Sequence, residues 1–231
     1  MLSVKRRIIC LSNSKKFGER CVAGIEIDTG RWIRPVCDNE DGSVPRTIRL
    51  VEGREPELLD ILEIPLATKS RDSEFVYENL VILPGQWKLL GKANPIDVIR
   101  YCRNTTDILH NSSKYVRPSY LKNLPFRQRN SLQLVQTAGL TLVKRPGWRG
   151  SLRTSNGNLI EASITDPVLL TKLDSGYQLN GPLLVTVSLS VPYIPEGFDN
   201  WEGEAPCWKL ITGVIELSRT VSAPDFDDIP F

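Results

Sequence analysis

Aromatic and cationic residues stand side by side five times in this chain: Arg31-Trp32-Ile33-Arg34, Trp87-Lys88, Lys114-Tyr115-Val116-Arg117, Trp148-Arg149 and Trp208-Lys209. Such pairs suit one chemistry. The ring stacks on an unpaired base while the cation neutralises the neighbouring phosphate. Each exposed stack is worth about 1–3 kcal/mol. Lys15, Lys16, Arg20, Arg127, Arg129 and Arg153 supply further phosphate-neutralising charge. The candidate nucleic-acid contacts are therefore Lys15, Lys16, Arg20, Trp32, Arg34, Trp87, Lys88, Tyr115, Arg117, Arg127, Arg129, Trp148, Arg149 and Arg153. Tryptophans serve equally well as core fillers. Trp148 is the best groove candidate, because Arg145-Pro146-Gly147-Trp148-Arg149 reads as a loop tip. Trp208, inside an apolar strand, reads as core. Lys5-Arg6-Arg7 reads as a solvated face.

The last seven residues are Asp225, Phe226, Asp227, Asp228, Ile229, Pro230 and Phe231. Pro230 holds the chain near polyproline II and lowers the entropy of docking. Ile229 and Phe231 are apolar anchors, and a terminal carboxylate beside them suits an arginine fork. Asp225, Asp227 and Asp228 steer such a peptide to a basic rim.

Other chemistry is poorly served. His110 is the single histidine, so multi-histidine metal sites and Ser-His-Asp sets have no basis. Asp60 and Glu63 lie three apart on an expected strand and so face opposite sides. Asp166 before Pro167 reads as a turn residue. There is no glycine-rich phosphate loop. The five cysteines, at 10, 21, 37, 102 and 207, are odd in number and form no CxxC, which argues against a disulfide framework or a zinc finger. The expectation is a non-enzymatic protein with no catalytic residue, no metal and no cofactor.

Charge is unevenly spread. Residues 1–153 carry 26 Lys and Arg against 16 Asp and Glu, leaving +10; residues 154–231 carry 3 against 11, leaving −8. A basic surplus on one part of a chain is the electrostatic footprint of a nucleic-acid binder. With 41% apolar residues the chain has material for real cores. Its apolar run after Arg7 is too short for a signal peptide, and no segment is long enough to span a membrane. The reduced thiols fit a cytoplasmic, nucleoid-associated location.

The elements that must position these residues are mainly strands. Val4 to Leu11, Cys21 to Asp28, Arg31 to Cys37, Leu58 to Leu66 and Trp87 to Leu90 read as strands, with a hairpin turn at Asp28-Thr29-Gly30. That is the count of one small Greek-key barrel. Pro95 to Leu109 has helical spacing, with Asn94 as cap. Leu132 to Gln136, Leu140 to Lys144, Gly150 to Thr154, Leu159 to Ile164, Leu183 to Val191 and Cys207 to Leu217 form a second strand set, with a hairpin at Asn156-Gly157. Val185, Val187, Leu189 and Val191 alternate with Thr186, Ser188 and Ser190, as in a half-buried strand. Ser218 to Phe231 has no periodicity and reads as a disordered, projecting acidic tail. The class is all-β, divided into a first barrel over 1–91, a partly helical connector over 92–130, a second barrel over 131–217 and the tail over 218–231.

Two resemblances sharpen this. Ile8-Ile9-Cys10-Leu11-Ser12-Asn13-Ser14-Lys15, Arg20-Cys21-Val22-Ala23-Gly24 and Trp32-Ile33-Arg34-Pro35-Val36 resemble the dual-OB domain family. So do Leu59-Asp60-Ile61-Leu62-Glu63-Ile64-Pro65-Leu66, Glu78-Asn79, Thr165-Asp166-Pro167 and Cys207-Trp208-Lys209-Leu210-Ile211. The resemblance runs over about residues 4–217 and implies two OB-type barrels in tandem with a nucleic-acid role. Separately, residues 225–231 resemble the C-terminal tail of bacterial single-stranded DNA-binding proteins. That resemblance implies partners among helicases, exonucleases, recombination mediators, and primase or polymerase accessory subunits.

Together these lead to a protein that coats single-stranded DNA and recruits genome-maintenance enzymes, with no membrane partner. A homodimer would bring four barrels together, by analogy with the bacterial proteins. Two alternatives stand beside it. One is an adaptor or decoy of a mobile element or defence system, using the tail to hijack enzymes that bind the host single-stranded DNA-binding protein. The other is an RNA or modified-nucleotide sensor.

Overall fold

The computed structural model describes residues 3–16, 18–39, 41–70, 76–103, 106–197 and 200–217. The acidic tail expected at 218–231, with all seven of its candidate residues, lies outside them.

The first sheet contains β1 (Ser3–Lys16), β2 (Glu19–Glu26), β3 (Trp32–Val36), β4 (Asp60–Ser70), β5 (Asn79–Ile82) and β6 (Lys88–Lys92). Its order is β1-β2-β3-β5-β4, and β4 pairs back onto β1, which closes a five-strand barrel; β6 adds to β4. The β3–β5 pair is parallel and the others are antiparallel. One turn of helix, α1 (Arg46–Arg49), joins β3 to β4. Neither β5 nor α1 stands out in the residue pattern. Asn79-Leu80-Val81-Ile82 is too short to show a period.

The second sheet follows the same plan. Its order is β8 (Leu132–Thr137), β12 (Leu183–Pro192), β13 (Cys207–Glu216), β11 (Leu159–Ile164), β10 (Trp148–Arg153) and β9 (Thr141–Lys144), with β11–β13 parallel. β8 and β9 together take the place that unbroken β1 takes in the first barrel: one half pairs β12 and the other pairs β10. A helix, α4 (Pro167–Asp174), again sits between the third and fourth strand positions. Asp166 is its N-cap rather than a turn residue, accepting from Val168 N at 3.0 Å and Leu169 N at 3.2 Å.

The connector holds α2 (Pro95–Ile99), β7 (Tyr115–Val116) and α3 (Pro118–Asn123). Asn94 caps α2 through a 3.0 Å bond from Ile96 N. The helix expected to reach Leu109 stops at Ile99, because the Arg103 N–H leaves the helical direction and bonds to Leu134 O in the second barrel, at 3.0 Å. β7 pairs β13.

Three cores result. Ile8, Cys10, Val22, Leu62, Ile64 and Trp87 fill the first barrel; Leu152, Ile160, Val185, Val187 and Ile211 fill the second. The third lies between the barrels and joins Ile9, Leu11 and Ile25 to Leu134, Leu184 and Ile215. Strand period divides each apolar run between two cores: Ile8 and Cys10 face into their own barrel, while Ile9 and Leu11 face the other. The polar stripe of β12 is buried in this same junction rather than solvated, with Thr186 1% and Ser188 6% exposed. Among the described residues no helix is long and apolar enough to cross a membrane.

Candidate nucleic-acid interface

A groove of about 330 Å³ opens where the two barrels meet. Its walls come from the β2–β3 turn (Gly30, Arg31, Trp32), from Tyr77, from the connector (Tyr101, Arg103, His110) and from β8 (Leu132, Gln133, Leu134). Gly30 adopts φ +67°, which closes the turn, and a Cβ there would lie 3.3 Å from the Tyr101 ring. Arg100 lies over that ring, 4.8 Å from its centre, and donates to the Tyr101 hydroxyl at 2.9 Å. Arg103 is held at the junction by its own N–H and by Gln133, whose Nε2 donates to Arg103 O at 3.1 Å.

The groove wall carries backbone strain. Leu109 and His110 stand at φ +50° and +79°, costly for side chains with a Cβ. Leu109 N donates to Gln133 Oε1 at 2.8 Å, and His110 Nε2 meets Asn130 O at 2.6 Å; these contacts hold the bend. Burial, with Lys209 nearby, lowers the pKa of His110 and so favours a neutral ring. Burial and the Glu78 charge raise the Tyr77 phenol, and Arg103 and Arg31 oppose that rise. Asp107 is the one carboxylate among the described lining residues. The groove therefore offers aromatic faces with surplus positive charge, the combination that holds unpaired bases and their phosphates.

Beside it lies a second groove of about 370 Å³, lined by Arg103, Ile108, Val135 to Gly139 and Arg153 to Ser155. Arg103 borders both grooves.

The structure scatters the residues that the sequence groups together. Trp32 is in the junction groove and Arg153 in its neighbour. Arg34 and Trp87 must be withdrawn from the contact set. Arg34 is 7% exposed and donates to Asn79 at 3.2 Å, Ser131 at 3.0 Å and Ser188 at 3.1 Å. Trp87 is 4% exposed and belongs to the first barrel's core. Trp148 is not at a loop tip. It opens β10, packs on the second core, and donates from its indole to Asp174 at 2.8 Å. Arg149 beside it donates to Arg145 O at 3.1 Å and lies 3.6 Å from Glu161.

Tyr115 packs edge-to-face on Trp208 and Trp201, at 5.4 and 5.3 Å, which holds Trp201 against β13. Trp208 is core, as its apolar strand implies. Lys15 and Arg20 stand at the barrel junction: Lys15 N bonds Thr165 O at 3.0 Å, and Arg20 faces Asp166. Lys16 bonds Asp41 O. Arg129 bonds Leu124 O at 3.0 Å and Lys122 O at 2.8 Å. Lys88, Arg117 and Arg127 are exposed and apart from the groove lining.

Sequence reasoning missed Tyr77, Tyr101 and Arg103. Tyr101-Cys102-Arg103 is itself an aromatic–cation pair, hidden inside an expected helix. Asp60 and Glu63 are structural: Asp60 accepts from Arg54 and from Glu57 N, both at 2.8 Å, and Glu63 pairs with Lys5 at 3.1 Å.

The model of the dual OB-containing domain family matches residues 6–214. The chain belongs to that family. The match spans both strand sets and the connector, and the family description names a dual OB architecture. As a class, OB folds bind oligonucleotides and oligosaccharides, and many hold single strands. Comparison with curated proteins and with solved structures gave no match. In this dual-OB chain the stretches that carry the family resemblance supply buried polar anchors: Arg34, Asp60, Glu78, Asp166 and Lys209 are each under 10% exposed. Arg34 ties the first barrel to the second and Lys209 ties β13 to the connector, while Asp60 and Asp166 bond within their own barrels.

Proposed function

We propose that this dual-OB protein binds single-stranded DNA in the groove between its barrels, without chemical transformation of the strand. One observation carries the reading: stretches distant in sequence bring Trp32, Tyr77, Tyr101, Arg31 and Arg103 to one opening. Rings would take successive bases while arginines neutralise phosphates. A duplex offers no free base faces and binds more weakly. A nucleoid location follows from such binding. The acidic Asp225–Phe231 segment is assigned a recruiting role from its residue types and from the resemblance to the tail of bacterial single-stranded DNA-binding proteins.

Fluorescence titration with poly(dT), poly(rU) and duplex at two salt concentrations tests the reading. Expected is salt-sensitive binding of poly(dT), stronger than duplex and lost in part on Trp32→Ala, by about 1–3 kcal/mol. Equal affinity for duplex overturns it, and preference for poly(rU) moves the assignment to RNA. A chain that ignores all three polymers yet captures a helicase or exonuclease through residues 225–231 would be the adaptor or decoy instead.

A further inference from the structure

The second groove has an architectural cause. In the first barrel, β1 runs unbroken and closes the ring by hydrogen bonds on both sides. In the second, the equivalent strand is interrupted between Thr137 and Thr141, and the side chains and backbone at that interruption line the groove. Thr137 Oγ1 donates to Gly139 O at 2.8 Å, which folds the break into a defined turn. Among the described residues the lining has no Asp or Glu and includes two arginines, Arg103 and Arg153. Arg153 is exposed and aligned by a 3.1 Å bond from Nη1 to Gly157 O across the Asn156-Gly157 turn. Arg103 is anchored through its backbone to Leu134 and Gln133.

We infer that the break in the second barrel's first strand forms a phosphodiester-binding subsite between Arg103 and Arg153, so that one strand runs from the junction groove onto the second barrel. This rests on the single-strand reading above and extends it. Bases would sit on the rings of the junction groove. Arg103, common to both grooves, would hold the phosphate at the crossing, and Arg153 the next one along. The subsite contributes by charge and backbone tracking rather than stacking, because among the described residues its lining has no aromatic ring. Longer strands should therefore gain affinity chiefly through salt-sensitive contacts.

The test compares oligo(dT) of about 4 and about 12 nucleotides, lengths within the range that one OB fold covers. Wild type, Arg153→Gln and Arg31→Gln are titrated at several salt concentrations. Both substitutions are at exposed positions, and unchanged melting temperatures would confirm folding. Wild type should bind the longer strand more tightly. Arg153→Gln should shrink that gain several-fold and flatten the salt slope for the longer strand by roughly 0.7. Arg31→Gln should weaken both lengths. If Arg153→Gln preserves the full gain and slope while Arg31→Gln weakens both lengths, the subsite is overturned and the junction groove stands. If neither length binds, or Arg31→Gln has no effect, the underlying reading fails as well.

Discussion

Gly213 in the second barrel lies so close to Leu11 in the first that a Cβ on the glycine would sit 2.3 Å from the Leu11 carbonyl oxygen. Both strands are irregular here. The β1–β2 register shifts between Cys10 and Ser12, at Leu11, and the β12–β13 register shifts so that Thr212 is passed over. The bulge leaves the Leu11 carbonyl free to accept from Thr186 Oγ1 at 2.7 Å. Two bulges thus meet back to back and set the barrels in a fixed relation, and the junction groove depends on it.

Gly213→Ala should separate the barrels slightly and destabilise the protein by about 1–3 kcal/mol, the usual cost of overpacking. Gly213 does not have positive φ, so the effect would be steric. Gly139→Ala, where a Cβ meets nothing within 4 Å, should be nearly neutral. Urea denaturation of the two variants gives the comparison.

Arg34→Met should be costly. Glu78 is 2% exposed and accepts from Ser131 N at 2.7 Å and Ser131 Oγ at 3.1 Å, and burial raises its pKa while Arg34 opposes the rise. Removing the cation strands a buried carboxylate, at about 3–5 kcal/mol. The folded state takes up a proton at Glu78 before the unfolded chain does. Stability of the variant should therefore recover as pH falls from neutrality toward the ordinary carboxylate value of 4.5. The Arg34→Met/Glu78→Gln double variant should regain much of the loss at neutral pH, which a double-mutant cycle measures.

Lys209 should make stability rise with pH. It is 2% exposed, its Nζ donates to Asn111 O at 2.6 Å and Oδ1 at 2.9 Å, and burial pulls its pKa from 10.5 to about 8. Below pH 8 the fold bears the cost of a buried ammonium. Above it, the folded state has released a proton that the unfolded chain still holds, so stability increases. As pH nears the ordinary thiol value of 9.0 the opposite contribution overtakes it, because burial pushes Cys10 and Cys207 up to about 12 and Cys102 up to about 11. The thiol contribution is common to both proteins, so in denaturant titrations wild type should gain stability relative to Lys209→Met between pH 8 and 9.

Trp148→Ala should lower stability by about 1–2 kcal/mol, as for loss of a half-buried ring and its hydrogen bond to Asp174. Poly(dT) affinity should stay within about twofold, since Trp148 does not line the junction groove. Loss of binding without loss of stability would restore Trp148 as a stacking platform.

Local signals were legible where one surface dominates. Asp28-Thr29-Gly30 and Asn156-Gly157 form their hairpins, with Gly30 and Gly157 at positive φ as such turns require. Asn94 caps α2. The short β5, α1 and α3 were not legible, because neighbours in space rather than residue pattern sustain them. α4 was missed although Asp166-Pro167 is a sound helix start, since the same dipeptide opens turns.

The residues alone carry the strand-rich class, two strand sets, the uneven charge and the aromatic–cation pairs that suit nucleic acid. Packing settles which of them reach the junction groove. Trp32 and Arg34 share one face of β3 by the two-residue period, and both point at the second barrel. Trp32 lies where the barrels diverge and lines the groove; Arg34, two residues deeper, is buried between them. The Thr186 and Ser188 stripe reads as a solvent face, yet it bonds Leu11 O and Arg34. A strand's alternation says that its two faces differ. What covers each face is set by a partner far away in sequence, and no local pattern carries that information.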